Sequence, residues 1–522
     1  MDSRPYGAKW QGPVLGLLAT GAGLAAAELI VGLVQGSASP VVPVGQVFID
    51  WVPKPLKDWA IEQFGTNDKV VLVLGALIVV LGLGVVVGVL AMRGARGAAY
   101  ALTGVIGLLG GFAVLTRPAP SVGKLLPTIV GTGVSIAVLW YLAPRPAGAT
   151  VPGQIQADAQ PQDMGVDRRR FIAGAIGIGS VAVIAGGLGR MLQERFAVDS
   201  ERNALILPSA SSSAPTLPVD AQLDISGIGP FVTPSNEFYR IDTALVVPQV
   251  SKDSWKLKID GLVDNEIELT FDDLLARPQV ERYVTLSCVS NEIGGDLVGN
   301  ALWQGVLLKD VLEEAGLQSG AEQVVSRSID GWTCGSPTEQ IMDGRDAMLA
   351  FGMNGEPLPA RHGYPVRLVV PGLYGYVSAT KWVTQIRLTG WDEYDAYWIP
   401  RGWSKLGPVK TMARIDTPRS GSDKAGTVPI AGVAWAVHRG ISNVQIRVDE
   451  GEWLDADLGG VPSNDTWVQW VYYLDAEPGR HVIEARAIDG EGNPQPEQPR
   501  PVAPDGAQGY HRITIETSLS SG

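Results

Sequence analysis

The pattern of apolar and polar positions changes character twice along the chain. Through residue 195 it consists of long runs of Ala, Gly, Leu, Val and Ile with few charges. A bilayer core about 30 Å thick is crossed by roughly 20 apolar residues at about 1.5 Å per residue. Five segments approach that length: 14–34, 70–92, 98–115, 125–142 and 171–188. The second offers no polar face to water, so a soluble bundle does not account for it. Trp10, Tyr100, Trp140 and Tyr141 sit near segment ends, where interfacial aromatics gather. The expectation for residues 1–195 is an all-α transmembrane bundle of five helices in a lipid bilayer.

From 196 to 220 the periodicity disappears, and LPSASSSAPTLP has the composition of a linker. Mixed structure follows over 221–417. WKLKIDG (255–261) alternates as a strand, FDDLLAR (271–277) reads as a short helix, and YVTLSCVSN (283–291) as a strand entering a loop. WQGVLLKDVLEEAG (303–316) has apolar residues at helical spacing and ends at Gly316. Past Pro418 the pattern is strands only. Val444, Ile446 and Val448 alternate with Gln445 and Arg447, and Ile483, Ala485 and Ala487 with Glu484 and Arg486. An all-β, immunoglobulin-like sandwich is expected over 418–522.

Charge then narrows the function classes. A net charge of −13 argues against nucleic acid, which demands clustered Lys and Arg. The basic residues also orient the membrane region. Arg4, Lys9, Arg93, Arg96, Arg145 and the run Arg168, Arg169, Arg170 fall on one side, while the lysines of the loop at 35–69 are offset by acids. Lys and Arg favour the cytoplasm, so the N-terminus is expected inside and the polar remainder outside a plasma membrane crossed several times. DRRRFIAGAIGIGSVAVIAGG further resembles a twin-arginine export signal, with Asp167 where Ser or Thr is usual. No small-residue cleavage site follows, which implies that this span stays as an anchor. Glu28 stands within the first span, where a carboxyl is functional, protonated or turned to a neighbouring helix.

None of the four histidines, His362, His438, His481 and His511, lies in the apolar third, so no histidine-ligated haem is expected there. No CxxCH site and no multi-cysteine iron–sulfur spacing occurs either. The two cysteines, Cys288 and Cys334, are compatible with one bridge, with two unrelated buried thiols, or with one ligand and one bystander. Cys288 ends a predicted strand, a position open to a buried apolar thiol and to a metal ligand alike.

Four blocks decide between these. TPSNEFYRID (233–242), YVTLSCVSNE (283–292), GMNGEPLPARHGYPVRLVVPG (352–372) and SATKW (378–382), in this order, resemble the molybdopterin domain of sulfite oxidases and of related bacterial reductases of protein methionine sulfoxide. The resemblance implies an α+β sulfite-oxidase-type domain with one pterin carrying molybdenum. It implies Cys288 as the metal ligand, and Asn236, Tyr239, Arg240, His362, Arg367 and Lys381 at the cofactor, with Arg240 also catalytic beside Cys288. Arg367, Lys381 and His362 suit a terminal phosphate, and a soft thiolate suits a dithiolene-held metal. WIPRGWSKLGPVKTMARID (398–416) resembles the family's connector to a domain that dimerises, so a homodimer is in view. With no second redox centre expected, electrons pass to a separate carrier or membrane redox partner.

The match also departs from the family. Asp242 stands where sulfite oxidases have His, Trp332 in GWTCGSP where the active-site Tyr is expected, and Asn291 and Glu292 where basic residues follow the Cys. Arg240 and Arg401 remain near positions of substrate arginines. These changes weaken an anion pocket. The expected function is therefore oxygen-atom or two-electron transfer on a small extracytoplasmic substrate. A sulfite dehydrogenase and a non-catalytic membrane scaffold with a binding sandwich are the alternatives.

Overall fold

In the computed structural model, residues 10–34, 39–53, 68–116, 122–143, 168–194, 198–419 and 421–518 are described, with a few single positions between 56 and 64. The expectations resting on Arg4, Lys9, Arg145 and Asp167 lie outside the described residues. The chain divides into two compact units, Met1–Ala197 and Val198–Gly522.

The first unit is helical: α1 (Gln11–Leu33), α2 (Val41–Trp51), α3 (Asp68–Met92), α4 (Arg96–Leu115), α5 (Val122–Leu142) and α6 (Arg168–Glu194). Five of these, all but α2, are long and apolar enough to cross a membrane, and they coincide with the five predicted segments. α1 packs against α3, α5 and α6. Missing side chains let it do so. A Cβ on Gly16 would lie 1.9 Å from the Gly84 carbonyl oxygen of α3. Cβ atoms on Gly23 and Gly32 would each lie 2.5 Å from a carbonyl oxygen, of Gly131 in α5 and Gly189 in α6 respectively. Small residues at helix crossings are how apolar helices associate where water supplies no hydrophobic drive.

The second unit opens with α7 (Asp199–Ala204). Its α+β part holds α8 (Phe271–Leu275), α9 (Leu308–Ala315) and α10 (Thr338–Met342). Its strands are β1 (Lys256–Gly261), β2 (Ile267–Thr270), β3 (Val280–Ser287), β4 (Val298–Leu307), β5 (Gln323–Ser328), β6 (Thr333–Pro337), β7 (Met348–Met353), β8 (Glu356–Pro357), β9 (Arg367–Val369) and β10 (Val383–Thr389). One sheet runs β2-β1-β10-β5-β6, with β1 and β10 parallel; the other runs β3-β4-β7-β8, with β9 also on β7. Alternation explains β1, whose Leu257 and Ile259 are buried while Lys256 and Lys258 face out. A capping box between Thr270 and Asp273 starts α8.

Two expectations are corrected. Residues 303–307, expected as helix, belong to β4, because they pair with β3 and β7 and the helix begins only at Leu308. Residues 198–220, expected as linker, pack on the second unit. Glu201 accepts hydrogen bonds from Tyr364 Oη (2.6 Å), Ser251 Oγ (2.6 Å) and the Lys252 N–H (2.7 Å), and the Ser212 N–H donates to the Gln279 carbonyl (3.1 Å). The composition lacks a core of its own, but partners distant in sequence satisfy its polar groups.

The C-terminal part begins at Met412, slightly before the predicted boundary. It comprises β11 (Met412–Thr417), β12 (Gly421–Lys424), β13 (Gly426–Trp435), β14 (Ile441–Val448), β15 (Leu454–Asp455), β16 (Asp457–Leu458), β17 (Val468–Ala476), β18 (Gly479–Asp489) and β19 (His511–Ser518). They form two sheets, β11-β13-β17-β16 and β12-β19-β18-β14-β15, around one core that includes Ile430 and Trp470 from the first and Ile446 and Ile483 from the second. This part supports the other: Trp467 Nε1 donates to the Phe231 carbonyl at 2.9 Å, and Thr285 Oγ1 accepts the Trp467 N–H at 2.8 Å.

Candidate active site

Strand β3 ends at Ser287, and its last pairing sets Cys288 at the mouth of a loop. The Cys288 N–H donates to the Leu297 carbonyl (2.9 Å), and Asn291 Oδ1 accepts the Leu297 N–H (2.8 Å), closing the loop 288–297 on itself. Asn291 is thus spent on holding the loop. The sulfur receives the Ser290 N–H at 3.4 Å. Burial pushes the Cys288 thiol above its ordinary range; the bonds from Ser290 and the charge of Lys381 pull the other way.

Cys288 lines a pocket that opens to solvent. Tyr239, His362, Arg367 and Lys381 line the same pocket, although they come from four separate stretches of chain. Arg367, at the start of β9, is 5% exposed and lies over the Trp303 ring at 4.8 Å. Its Nη1 donates to the His362 carbonyl at 3.2 Å, and its Nε has no partner among the described residues. Burial brings its guanidinium down to about 10. Lys381 is brought down to about 8 by burial, against the pull of Asp242, whose Oδ2 lies 2.7 Å from Nζ. Gly363, in the left-handed region at φ +116°, sits between the two cations. A Cβ there would lie 3.0 Å from Arg367 Cβ and 3.2 Å from Lys381 Cβ.

Burial first, then the charges of Arg367, Arg361 and Lys381, hold the His362 imidazole far down, at about 3, so it is neutral. Its Nε2 lies 2.8 Å from the Ser235 carbonyl oxygen, which can only accept, so Nε2 carries the proton. Arg361 Nε, 3.3 Å from the same nitrogen, is then a close neighbour and not a donor to it. The ring packs edge-on against Phe238 at 5.8 Å. His362 thereby ties the 233–242 segment to the pocket through Ser235.

Two further predicted residues do not line the pocket. Asn236 is exposed, and its carbonyl accepts from Arg361 Nη2. Arg240 is exposed and turns to Asp242, Nε to Oδ2 at 2.8 Å. Arg401 lies over the Tyr397 ring at 3.7 Å and is likewise outside the lining. Asp242 does line the pocket, as do Asp330, Trp332, Trp398 and Trp403, so the lining includes aromatic rings and two carboxylates. Cys334 does not; its thiol is fully buried between Ser326 Oγ (3.1 Å) and Thr380 Oγ1 (3.2 Å). Both cysteines are free, which removes the bridge from consideration. No sequence pattern marks Trp303, whose ring lies under Arg367, or Arg361, whose Nη2 donates to the Asn236 carbonyl.

The residues fit a molybdopterin group. A buried arginine with an unspent donor, beside a half-neutralised lysine, requires an anion to offset its desolvation. A thiol held protonated by burial becomes a good soft ligand once a metal supplies the compensating charge.

Residues 244–398 match the family described as oxidoreductase molybdopterin binding domain. The mitochondrial sulfite oxidase of Rattus norvegicus is 28% identical over 322 residues, 52% of this chain and 58% of the relative. The sulfite oxidase of Drosophila melanogaster is 27% identical over 356 residues, 58% of this chain and 61% of the relative. The chain thus spans about three fifths of these relatives' length. The oxidoreductase YuiH of Bacillus subtilis (strain 168) is 35% identical over 153 residues, 29% of this chain and 74% of the relative. Among solved structures, the sulfane dehydrogenase SoxCD from Paracoccus pantotrophus superposes with TM-score 0.48 at 24% identity, covering 56% of this chain and 85% of that one.

Proposed function

The chain belongs to the sulfite oxidase-like molybdopterin oxidoreductases, and from that membership we propose a membrane-anchored enzyme acting on a small uncharged substrate outside the cytoplasm. The reaction is oxygen-atom transfer or another two-electron step, with a separate carrier exchanging the electrons. One observation carries the reading: Arg367, with its unspent Nε, and Lys381 converge on the pocket that Cys288 lines.

The cofactor, when bound, supplies the two-electron oxygen-atom chemistry. The protein's residues do the rest. Cys288 would give its sulfur to the metal. Arg367 and Lys381 would hold the anionic end of the pterin, as a guanidinium and an ammonium hold phosphate. Neutral His362 orients the 233–242 segment through Ser235. Trp332, Trp398 and Trp403 keep water from the substrate end. Asp242 offsets Lys381, and Asp330 adds a further negative charge to the lining, which disfavours an anionic substrate.

The membrane anchor rests on the five apolar helices, and the outside placement on the basic residues and the twin-arginine-like stretch. We read the C-terminal two-sheet part as an immunoglobulin-like, dimerisation-type domain. Sulfite oxidation is the second reading, favoured by the names of the relatives.

Metal analysis of the purified protein tests the proposal directly. Molybdenum near one per chain, lost together with activity in Cys288→Ser, is expected. A metal-free wild type, or a Cys288→Ser variant of full activity, overturns it. Assays of the loaded enzyme on sulfite and on neutral oxides, with artificial carriers, separate the two readings.

A further inference from the structure

The helical unit contains a cavity of its own. It lies between α1, α2, α3, α4 and α5 and opens outward between them. Most of the lining is aliphatic, with Leu24, Val41, Val44, Val80 and Ile106 among it, and no charged residue takes part. Five hydroxyl side chains also face it: Thr20, Thr103, Thr128, Thr132 and Ser135.

In a bilayer interior, where water is scarce, a hydroxyl on a helix ordinarily returns its hydrogen bond to its own backbone. Thr103 Oγ1 does so to the Ala99 carbonyl (2.9 Å), and Thr132 Oγ1 to the Thr128 carbonyl (2.7 Å). Thr128 does not. It is 7% exposed, and its Oγ1 has no hydrogen-bond partner among the described residues. An unsatisfied buried hydroxyl costs about 1–3 kcal/mol. A ligand that offers it an acceptor recovers that cost.

We infer that this cavity binds a lipid-soluble quinone, whose ring occupies the aliphatic space and whose carbonyl accepts from Thr128. An acyl chain would fill the volume but leave the hydroxyl unsatisfied. A charged ligand would find no counter-charge. A neutral, flat, carbonyl-bearing ring meets each of these chemical conditions. The choice of a redox-active ring rests on the proposed oxidoreductase function, which needs a separate carrier.

The test uses the full chain with its cofactor in phosphatidylcholine nanodiscs, with decylubiquinone as probe and empty discs as the partition control. Saturable binding near one per chain is expected, not displaced by dodecylbenzene, which has no carbonyl. Thr128→Val keeps the side chain's size, removes the donor and is expected to weaken binding about fivefold to tenfold, the scale of one net hydrogen bond. Thr128→Ser restores binding, and Thr103→Val, whose hydroxyl is satisfied internally, leaves it unchanged. Uptake equal to that of empty discs, equal displacement by the hydrocarbon, or an unaffected Thr128→Val variant overturns the site. Molybdenum content and activity with a soluble acceptor, read on the same sample, keep the two proposals apart. Activity without quinone binding removes this inference alone, and quinone binding without metal removes the oxidoreductase reading.

Discussion

The ammonium of Lys381 lies 2.7 Å from Oδ2 of Asp242, and both side chains line the pocket that contains Cys288. A cation that the family resemblance assigns to the cofactor is therefore already half-neutralised by the protein. Asp242→Asn removes the counter-charge and leaves Lys381 unbalanced in the pocket. An anion such as sulfate is then expected to bind about fivefold more tightly or better, on the scale of one charge in a partly buried site. Sulfate should also raise the melting temperature of the variant more than that of the wild type. Equal sulfate affinities in a titration would show that Asp242 does not set the pocket's charge preference.

Arg367 gives a contrasting expectation. Among the described residues its side chain makes one hydrogen bond, to the His362 carbonyl, and its Nε has no partner. Arg367→Met fills similar space without the desolvated charge. Its cofactor-free form is expected to be within about 1 kcal/mol of wild-type stability or above it, because a buried unpaired charge stabilises little. Cofactor retention should fall at least about tenfold, the loss of a charge-assisted pair to the pterin phosphate. Denaturation of the cofactor-free form together with molybdenum analysis measures both; a large stability loss with full retention would make the residue structural only.

Glu201 lies in the stretch whose composition reads as tether, and its carboxylate accepts from Tyr364, Ser251 and Lys252. Glu201→Ala strands three donors and is expected to cost about 2–4 kcal/mol, since hydrogen bonds to a charged group contribute roughly 1.5–3 kcal/mol each before relaxation. Chemical denaturation of the full chain, followed by a probe of the second unit, reads it. No change would return residues 198–220 to the status of linker.

His511 ties the C-terminal sheets to the loop after Cys288. Its Nδ1 accepts the Ile415 N–H at 2.9 Å, and a Cβ on Gly294 would lie 2.3 Å from its Nε2. Burial, then Arg414, lowers its pKa below the ordinary 6.5, with Asp416 opposing. Because the folded value is the depressed one, its contribution to stability is complete above about 6.5 and is lost progressively as pH falls below it. His511→Gln, which keeps an acceptor but does not titrate, is expected to flatten that acid slope in denaturation midpoints taken between about pH 7 and pH 5. An unchanged slope would assign it to other groups.

The sequence by itself determined what depends on local pattern. Helix-length apolar runs set the five long helices, because hydrocarbon admits no unpaired backbone and only continuous apolar stretches of that length suffice. Alternation set β1, β14 and β18, and the strand ending at Ser287 put Cys288 at a loop mouth. The tertiary structure decided what depends on who meets whom. It turned Arg240 onto Asp242, left Asn236 exposed, and made His362 neutral by surrounding it with cations and apolar groups. It gave residues 303–307 to a strand because two neighbouring strands offered hydrogen bonds that outweighed their helical spacing. It also drew residues 198–220 onto the second unit through partners as distant as Tyr364. Charge balance and long-range pairing are sums over neighbours that sequence order does not list, so the chain names the candidates and the fold assigns their parts.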